Sequence, residues 1–193
     1  MARCCAEHGY PETTVETVID EAGVDRPAFD RNFQGKEDLA LAAVDSILAA
    51  GMATVGTAYS PDTNEIESAL GSLAALLELF ASRPELARFA FIEPRHGMPE
   101  SARERYRSGF SILTAMLDRL RDQGRLSSHP PPCAARAAIG GGEALVRREL
   151  ECGRGADLPH LLPALVYSAA VPFLGQREAL RYARLAAELT ASR

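Results

Sequence analysis

Residues 13–39, TTVETVIDEAGVDRPAFDRNFQGKEDL, constrain the fold more than any other stretch of the chain. Thr13 and Thr14 stand before a short periodic run, Val15, Val18, Ile19 and Ala22. A hydroxyl there can accept from an orphan N–H of the first helical turn. Gly23 is a stop, because glycine takes the left-handed conformation that a helix end needs. Val24 alone separates this stop from the next start. Asp25 is a good N-cap, and Pro27 falls in the first turn of the second helix, where its missing N–H does no harm. Ala28, Phe29 and Phe33 form the inward side of that helix, and Gln34 and Gly35 end it. Two short helices joined by a glycine-containing turn make a helix-turn-helix, whose second helix can enter a DNA major groove.

Lys36 opens a longer run with Leu39, Ala40, Ala43, Val44, Ile47 and Leu48 at helical spacing. The helix dipole slightly disfavours a lysine at that end. A phosphate there would meet a helix N-terminus and an ammonium together. The arrangement suits anion binding better than folding.

The remaining chain also reads as helical. At 193 residues with 47% hydrophobic content, one to two small domains with a real core are expected. No strand signal and no internal repeat is evident. No run approaches the eighteen apolar residues of a membrane span, and no basic-then-apolar leader opens the chain. A cytoplasmic protein is therefore expected, with Cys4, Cys5, Cys133 and Cys152 reduced and packed. His129 and Cys133 are separated by three prolines and have no second pair, so no metal site is expected. A glycine-rich phosphate loop, a paired-histidine motif and GxSxG are all absent, and GGGEA lies within a predicted helix rather than after a strand. The reading is of a non-enzyme with no catalytic residues and no cofactor.

Along the chain, Tyr59 to Asn64 (YSPDTN) reads as a domain boundary, and Asn64 with Glu67 as a capping box. Ile66, Leu70, Leu73, Leu77 and Phe80 share one side of the next helix, which stops before Pro84. A short apolar helix, ELARFAFIE, runs to Pro94. A long helix from about residue 100 follows, with Gly124 as its stop, and then the rigid connector SSHPPP. The helix between Cys133 and Cys152 contains Gly140, Gly141 and Gly142 in a row. Three interior glycines cost about 3 kcal/mol of helix propensity relative to alanine, which points to close helix-on-helix approach. After the turn GRGADLP, Pro163 and Pro172 are expected to kink or shorten an apolar helix, and Gly175 to open the last one.

Taken together, HGYPETTVETVIDEAGVDRPAFDRNFQGKEDLALAAV closely resembles the DNA-binding domain of TetR-family (tetracycline-repressor-like) transcriptional regulators. GY..TTV, AGV, the F...F of the second helix and GKEDL all stand in register. The resemblance implies an all-α protein. Residues 1–45 would be the helix-turn-helix domain and residues 46–193 a helical domain for effector binding and dimerisation. Its partners would be operator DNA, a small apolar or amphipathic effector and a second copy of the chain. It implies a ligand-responsive regulator that acts as a repressor in the family's usual manner. The other reading is a helical small-molecule-binding or scaffolding dimer that has lost DNA binding.

The same resemblance places the DNA-facing set at Thr14, Asp25, Arg26, Pro27, Ala28, Asp30, Arg31, Asn32 and Lys36. Thr14 and Lys36 match phosphate-contact positions, and Arg26 and Arg31 can reach guanine edges or phosphates. Pro27 is either a thymine-methyl contact or simply a helix starter. Asp30 departs from the family, which usually has tyrosine beside the DNA backbone, and Asn32 replaces a common histidine. Residues 1–45 carry four basic and ten acidic side chains, a net of −6, where a basic footprint is usual. Only MARCCAEH precedes Gly9, a shorter first helix than the family's. Either the start is internal to a longer gene, the favoured reading, or the domain is incomplete.

Phe80, Phe89, Phe91 and Phe110 are most simply core, yet with Tyr106 they are also what a family-like effector pocket would be lined by. Glu93, Arg95 and His96, beside Tyr106, read as surface or capping residues ahead of an effector's polar anchor. The helices flanking GRGADLP resemble the family's dimer-forming pair, with Gly140, Gly141, Gly142, Leu145, Leu165 and Tyr167 as the interface set.

Overall fold

The computed structural model describes residues 1–59, 64–122 and 130–191. The boundary at Tyr59 to Asn64 and the connector SSHPPP fall partly outside these residues, and His129 and the Gly124 stop wholly so. Among the described residues the fold is all-helical, with no strand. The helices are α1 (Ala2–Glu12), α2 (Val15–Ala22), α3 (Arg26–Asp30), α4 (Lys36–Ala58), α5 (Glu65–Ser82), α6 (Pro84–Phe91), α7 (Glu100–Asp122), α8 (Ala134–Glu151) and α9 (Leu162–Ala191). Short 3-10 turns at Glu93–Arg95 and Gly155–Leu161 join α6 to α7 and α8 to α9.

Of the stripe read in α5, Leu70 and Leu77 are buried in the core, and Ile66, Leu73 and Phe80 are partly buried against it. Leu70, Ala74 and Leu77 are buried in one cluster with Ala40 and Val44 of α4, Ala87, Phe89, Ala90 and Phe91 of α6, and Leu158 and Leu162. Helix α4 packs on α5 and α7 and runs through residue 45 without interruption. Helix α1 packs on α6, so the N-terminal segment rests directly on the later helices. By length and mean hydropathy, Lys36–Ala58 (1.7) and Gly155–Ala191 (1.4) are apolar enough to cross a membrane, which a count of uninterrupted apolar residues does not register. Both pack laterally within the bundle, α4 on α5 and α7, and α9 on α5 and α8.

Several expected boundaries shift. Helix α3 ends at Asp30 rather than at Gln34, because the Asn32 side-chain amide donates to the Ala28 carbonyl at 2.8 Å and competes with the helical ladder. Asn64 does cap α5, but by accepting from the N–H of Ile66 at 2.8 Å. Gly175, with φ 75° and ψ 167°, breaks α9 where the final helix was expected to open, whereas Pro172 lies within the helical run without a break. Cys4 and Cys5 are buried as expected, but Cys133 and Cys152 are exposed. They occupy the two caps of α8, where the chain turns through solvent.

Candidate nucleic-acid interface

The helix-turn-helix is built by the local signals that the sequence carries. The Thr14 hydroxyl accepts from the N–H of Thr17 at 3.1 Å, and the Asp25 carboxylate from the N–H of Ala28 at 2.8 Å. Gly23 closes α2 with φ 66° and ψ 32°, a conformation that costs glycine little. Phe29 is buried and meets Phe33 at 5.4 Å between ring centroids, which holds α3 by its inner side. Asp25, Arg26, Pro27, Asp30, Arg31 and Asn32 are all exposed, as is Thr14, while Ala28 is half-buried.

Exposure does not leave these groups equivalent. The Arg26 guanidinium donates to Glu16 at 2.8 Å and to Asp30 at 2.9 Å. Asp30, and then Glu16, hold its proton more tightly than usual. Arg26, one of the expected DNA contacts, is thus already shared by two carboxylates. Arg31 has no ion pair among the described residues. Lys36 does not extend freely either: its ammonium donates to the Pro11 carbonyl at 3.0 Å and lies 4.3 Å from the centroid of the Tyr10 ring. An ammonium has three donors, so the remaining two can still meet a phosphate.

Asp30→Tyr is expected to raise affinity for DNA roughly tenfold, since it removes a carboxylate from the outer face, releases one side of the Arg26 clamp and supplies a hydroxyl donor. Fluorescence anisotropy on random-sequence DNA at low salt compares it with the parent. Unchanged affinity would mean that Asp30 does not face the DNA backbone.

Two further regions bear on function. Phe91 stands edge-on to Phe80, Tyr106 and Phe110 at 5.1, 6.4 and 6.1 Å between centroids, and Tyr106 meets Phe110 at 4.8 Å. Phe89 is buried in the same core. The Tyr106 hydroxyl is buried with no hydrogen-bond partner among the described residues. Burial and then the charge of Glu143 push this phenol well up, while Arg95 and Arg147 oppose the shift. Arg95 and Arg147 approach Glu143 only loosely, at 3.7 and 3.6 Å.

Secondly, an open apolar groove of about 540 Å³ runs between α8 and α9, lined by Ala134, Ala137, Gly141, Leu145, Ser168 and Pro172 among others. Gly140 and Gly141 face outward, with nothing within 4 Å of where a Cβ would stand. Gly142 faces inward, where a Cβ would stand 3.3 Å from a Leu165 methyl, and Leu165 is buried in the chain's own core. Leu145 is exposed and Tyr167 half-buried. The expected interface set therefore divides between an outer and an inner face.

Residues 2–43 match the family described as bacterial regulatory proteins, tetR family. This segment is thus similar to the N-terminal region of TetR-family regulators. No curated protein matches the sequence. Among solved structures, the fatty acid degradation regulator FadR from Bacillus halodurans has a TM-score of 0.75 and 18% identity, over 91% of this chain and 92% of that one. FadR from Bacillus subtilis, solved in complex with stearoyl-CoA, has a TM-score of 0.70 and 18% identity, over 90% and 94%. TylP, a tetR regulator from Streptomyces fradiae, has a TM-score of 0.70 and 19% identity, over 98% and 92%. At these identities the likeness establishes the TetR-type fold across the chain.

Sequence reasoning missed Glu93. It reads as a surface residue in the loop EPR, yet it is 2% exposed and accepts from the N–H of Tyr10 at 2.7 Å. Tyr106, grouped with it, is also buried. His96 does behave as a capping residue, with Nδ1 2.9 Å from the Ile92 carbonyl.

Proposed function

We propose that the chain is a ligand-responsive transcriptional repressor that binds operator DNA as a homodimer. Residues 1–45 would dock one operator half-site through α3, and residues 46–193 would dimerise along α8 and α9 and bind the effector. The observation that carries the reading is the capped α2–turn–α3 unit, inside a TetR-family domain, with Arg26 and Arg31 on its outer face. The apolar groove between α8 and α9 supports the dimer. An amphipathic effector is supported by the aromatic cluster beside an unpartnered buried hydroxyl, and by fold likeness to FadR, which was solved with stearoyl-CoA. Such a ligand would favour a dimer whose two recognition helices no longer match successive major grooves.

Selection from a random DNA library at low salt, followed by titration of stearoyl-CoA into the selected complex, tests this. Enrichment of a two-fold symmetric site and its release by the ligand are expected. Failure to enrich any sequence would remove the regulator reading. It would favour a helical ligand-binding dimer without DNA binding, the alternative supported by the Arg26 clamp and the net charge of −6 over residues 1–45.

A further inference from the structure

A carboxylate buried among apolar side chains is costly unless it is bonded, so the place of Glu93 needs a reason. It lies in the turn that follows α6, and its carboxylate accepts across 83 residues from the N–H of Tyr10. That N–H is exposed to capture because Gly9, at φ 77° and ψ 157°, breaks α1 just before it. The short stretch Tyr10–Pro11 is thereby capped by a side chain from the later helices.

The same two residues hold Lys36. Pro11 supplies the carbonyl that receives the ammonium, and Tyr10 the ring beneath it. Tyr10 stays a neutral phenol, because burial and then Glu37 push its pKa up to about 12. The other end of the connection is equally defined. Phe91, two residues before Glu93, is the ring shared by the contacts with Phe80, Tyr106 and Phe110. Phe91 ends α6 and Glu93 opens the 3-10 turn after it, so the ring cluster and the carboxylate are anchored two residues apart on one continuous segment.

We infer that Glu93 and Tyr10 are positioning residues for Lys36, so that the phosphate contact at the start of α4 is set by the turn after α6. This rests on the proposed reading in which Lys36 meets DNA. Loss of Glu93 would release Tyr10 and Pro11, and with them the ammonium. Removing a negative charge would, on electrostatics alone, strengthen DNA binding; here it weakens it.

The test compares the full chain with Lys36→Met, Glu93→Leu, Glu93→Gln, Tyr10→Leu and the Glu93→Leu/Lys36→Met double variant, by salt-dependent anisotropy on random-sequence DNA. Lys36→Met is expected to lower the slope of log K against log salt by about one unit, as for one phosphate contact. Glu93→Leu and Tyr10→Leu should lower it by the same amount, with the double variant no worse than either single one. Glu93→Gln, which keeps an acceptor for the Tyr10 N–H, should restore the parent slope. A full slope in Glu93→Leu, or losses that add in the double variant, overturns the inference.

A second readout needs no DNA. In NMR spectra of the parent, the Lys36 side-chain methylene protons should be shifted upfield by the Tyr10 ring. The shift should be lost in Tyr10→Leu, which keeps the backbone N–H, and reduced in Glu93→Leu but not in Glu93→Gln. If the parent fails to bind DNA, the regulator reading falls while these shifts still decide whether Glu93 places Lys36. Shifts that do not respond to Glu93→Leu sink the inference on their own.

Discussion

Phe91→Ala is expected to destabilise the folded chain by about 3–5 kcal/mol, the range for truncating a buried phenylalanine. Phe91 is 7% exposed and is the common partner of three rings, so nothing adjacent can collapse into its place without turning Phe80, Tyr106 or Phe110. Edge-on pairs add about 0.5–1.5 kcal/mol each beyond area burial, which places the loss toward the upper end. Urea unfolding should show a lower midpoint with an unchanged slope. The vacated space would adjoin the Tyr106 hydroxyl, so indole, apolar with one polar atom, should raise the midpoint of the variant and not of the parent. A loss below about 1 kcal/mol would show that the rings repack freely and do not form one rigid cluster.

The contrast between this cluster and the helix-turn-helix explains what the sequence could reveal. Thr14, Gly23 and Asp25 act on groups within three or four residues, so their roles are written in spacing alone. The Arg26–Asp30 pair, at i and i+4, is legible in the same way. Glu16, the other carboxylate on Arg26, is ten residues away and becomes a partner only once α2 and α3 have packed. Glu93 is the extreme case. Its charge and its neighbours Pro94 and Arg95 all favour a solvated loop, and only the docking of α1 on α6 buries it. Phe89, Phe91 and Tyr106 are buried in the core and Phe80 and Phe110 pack against it, but helical spacing does not distinguish a filled core from the wall of an effector site.

The glycine run shows a limit that simple geometry could have removed. Successive residues on a helix are turned by about 100°, so three consecutive glycines span about 200° and cannot all face one partner. Gly142 serves the chain's own packing against Leu165, while Gly140 and Gly141 open onto the outer face. Leu165 is likewise spent inside the subunit, and the outer groove is instead bounded by Ala137, Leu145, Ser168 and Pro172.

Gly141→Leu is therefore expected to dissociate the proposed dimer while leaving the subunit folded. A Cβ at Gly141 meets nothing within 4 Å, so the subunit accommodates the side chain, and helix propensity improves by somewhat under about 1 kcal/mol. In a two-fold dimer the substitution enters the interface twice. Overpacking costs about 1–3 kcal/mol at each occurrence, or about 2–6 kcal/mol in all, which weakens association on the order of thirtyfold to ten-thousandfold. Light scattering across a dilution series should show a monomer at concentrations where the parent is dimeric, with helical content retained by circular dichroism. Gly142→Leu is the control with the opposite signature. Its Cβ would stand 3.3 Å from the Leu165 methyl, so it should lower the stability of the subunit itself. If Gly141→Leu keeps the parent's dimer mass throughout the dilution, the outer face of α8 is not where two copies meet, and the groove between α8 and α9 needs another occupant.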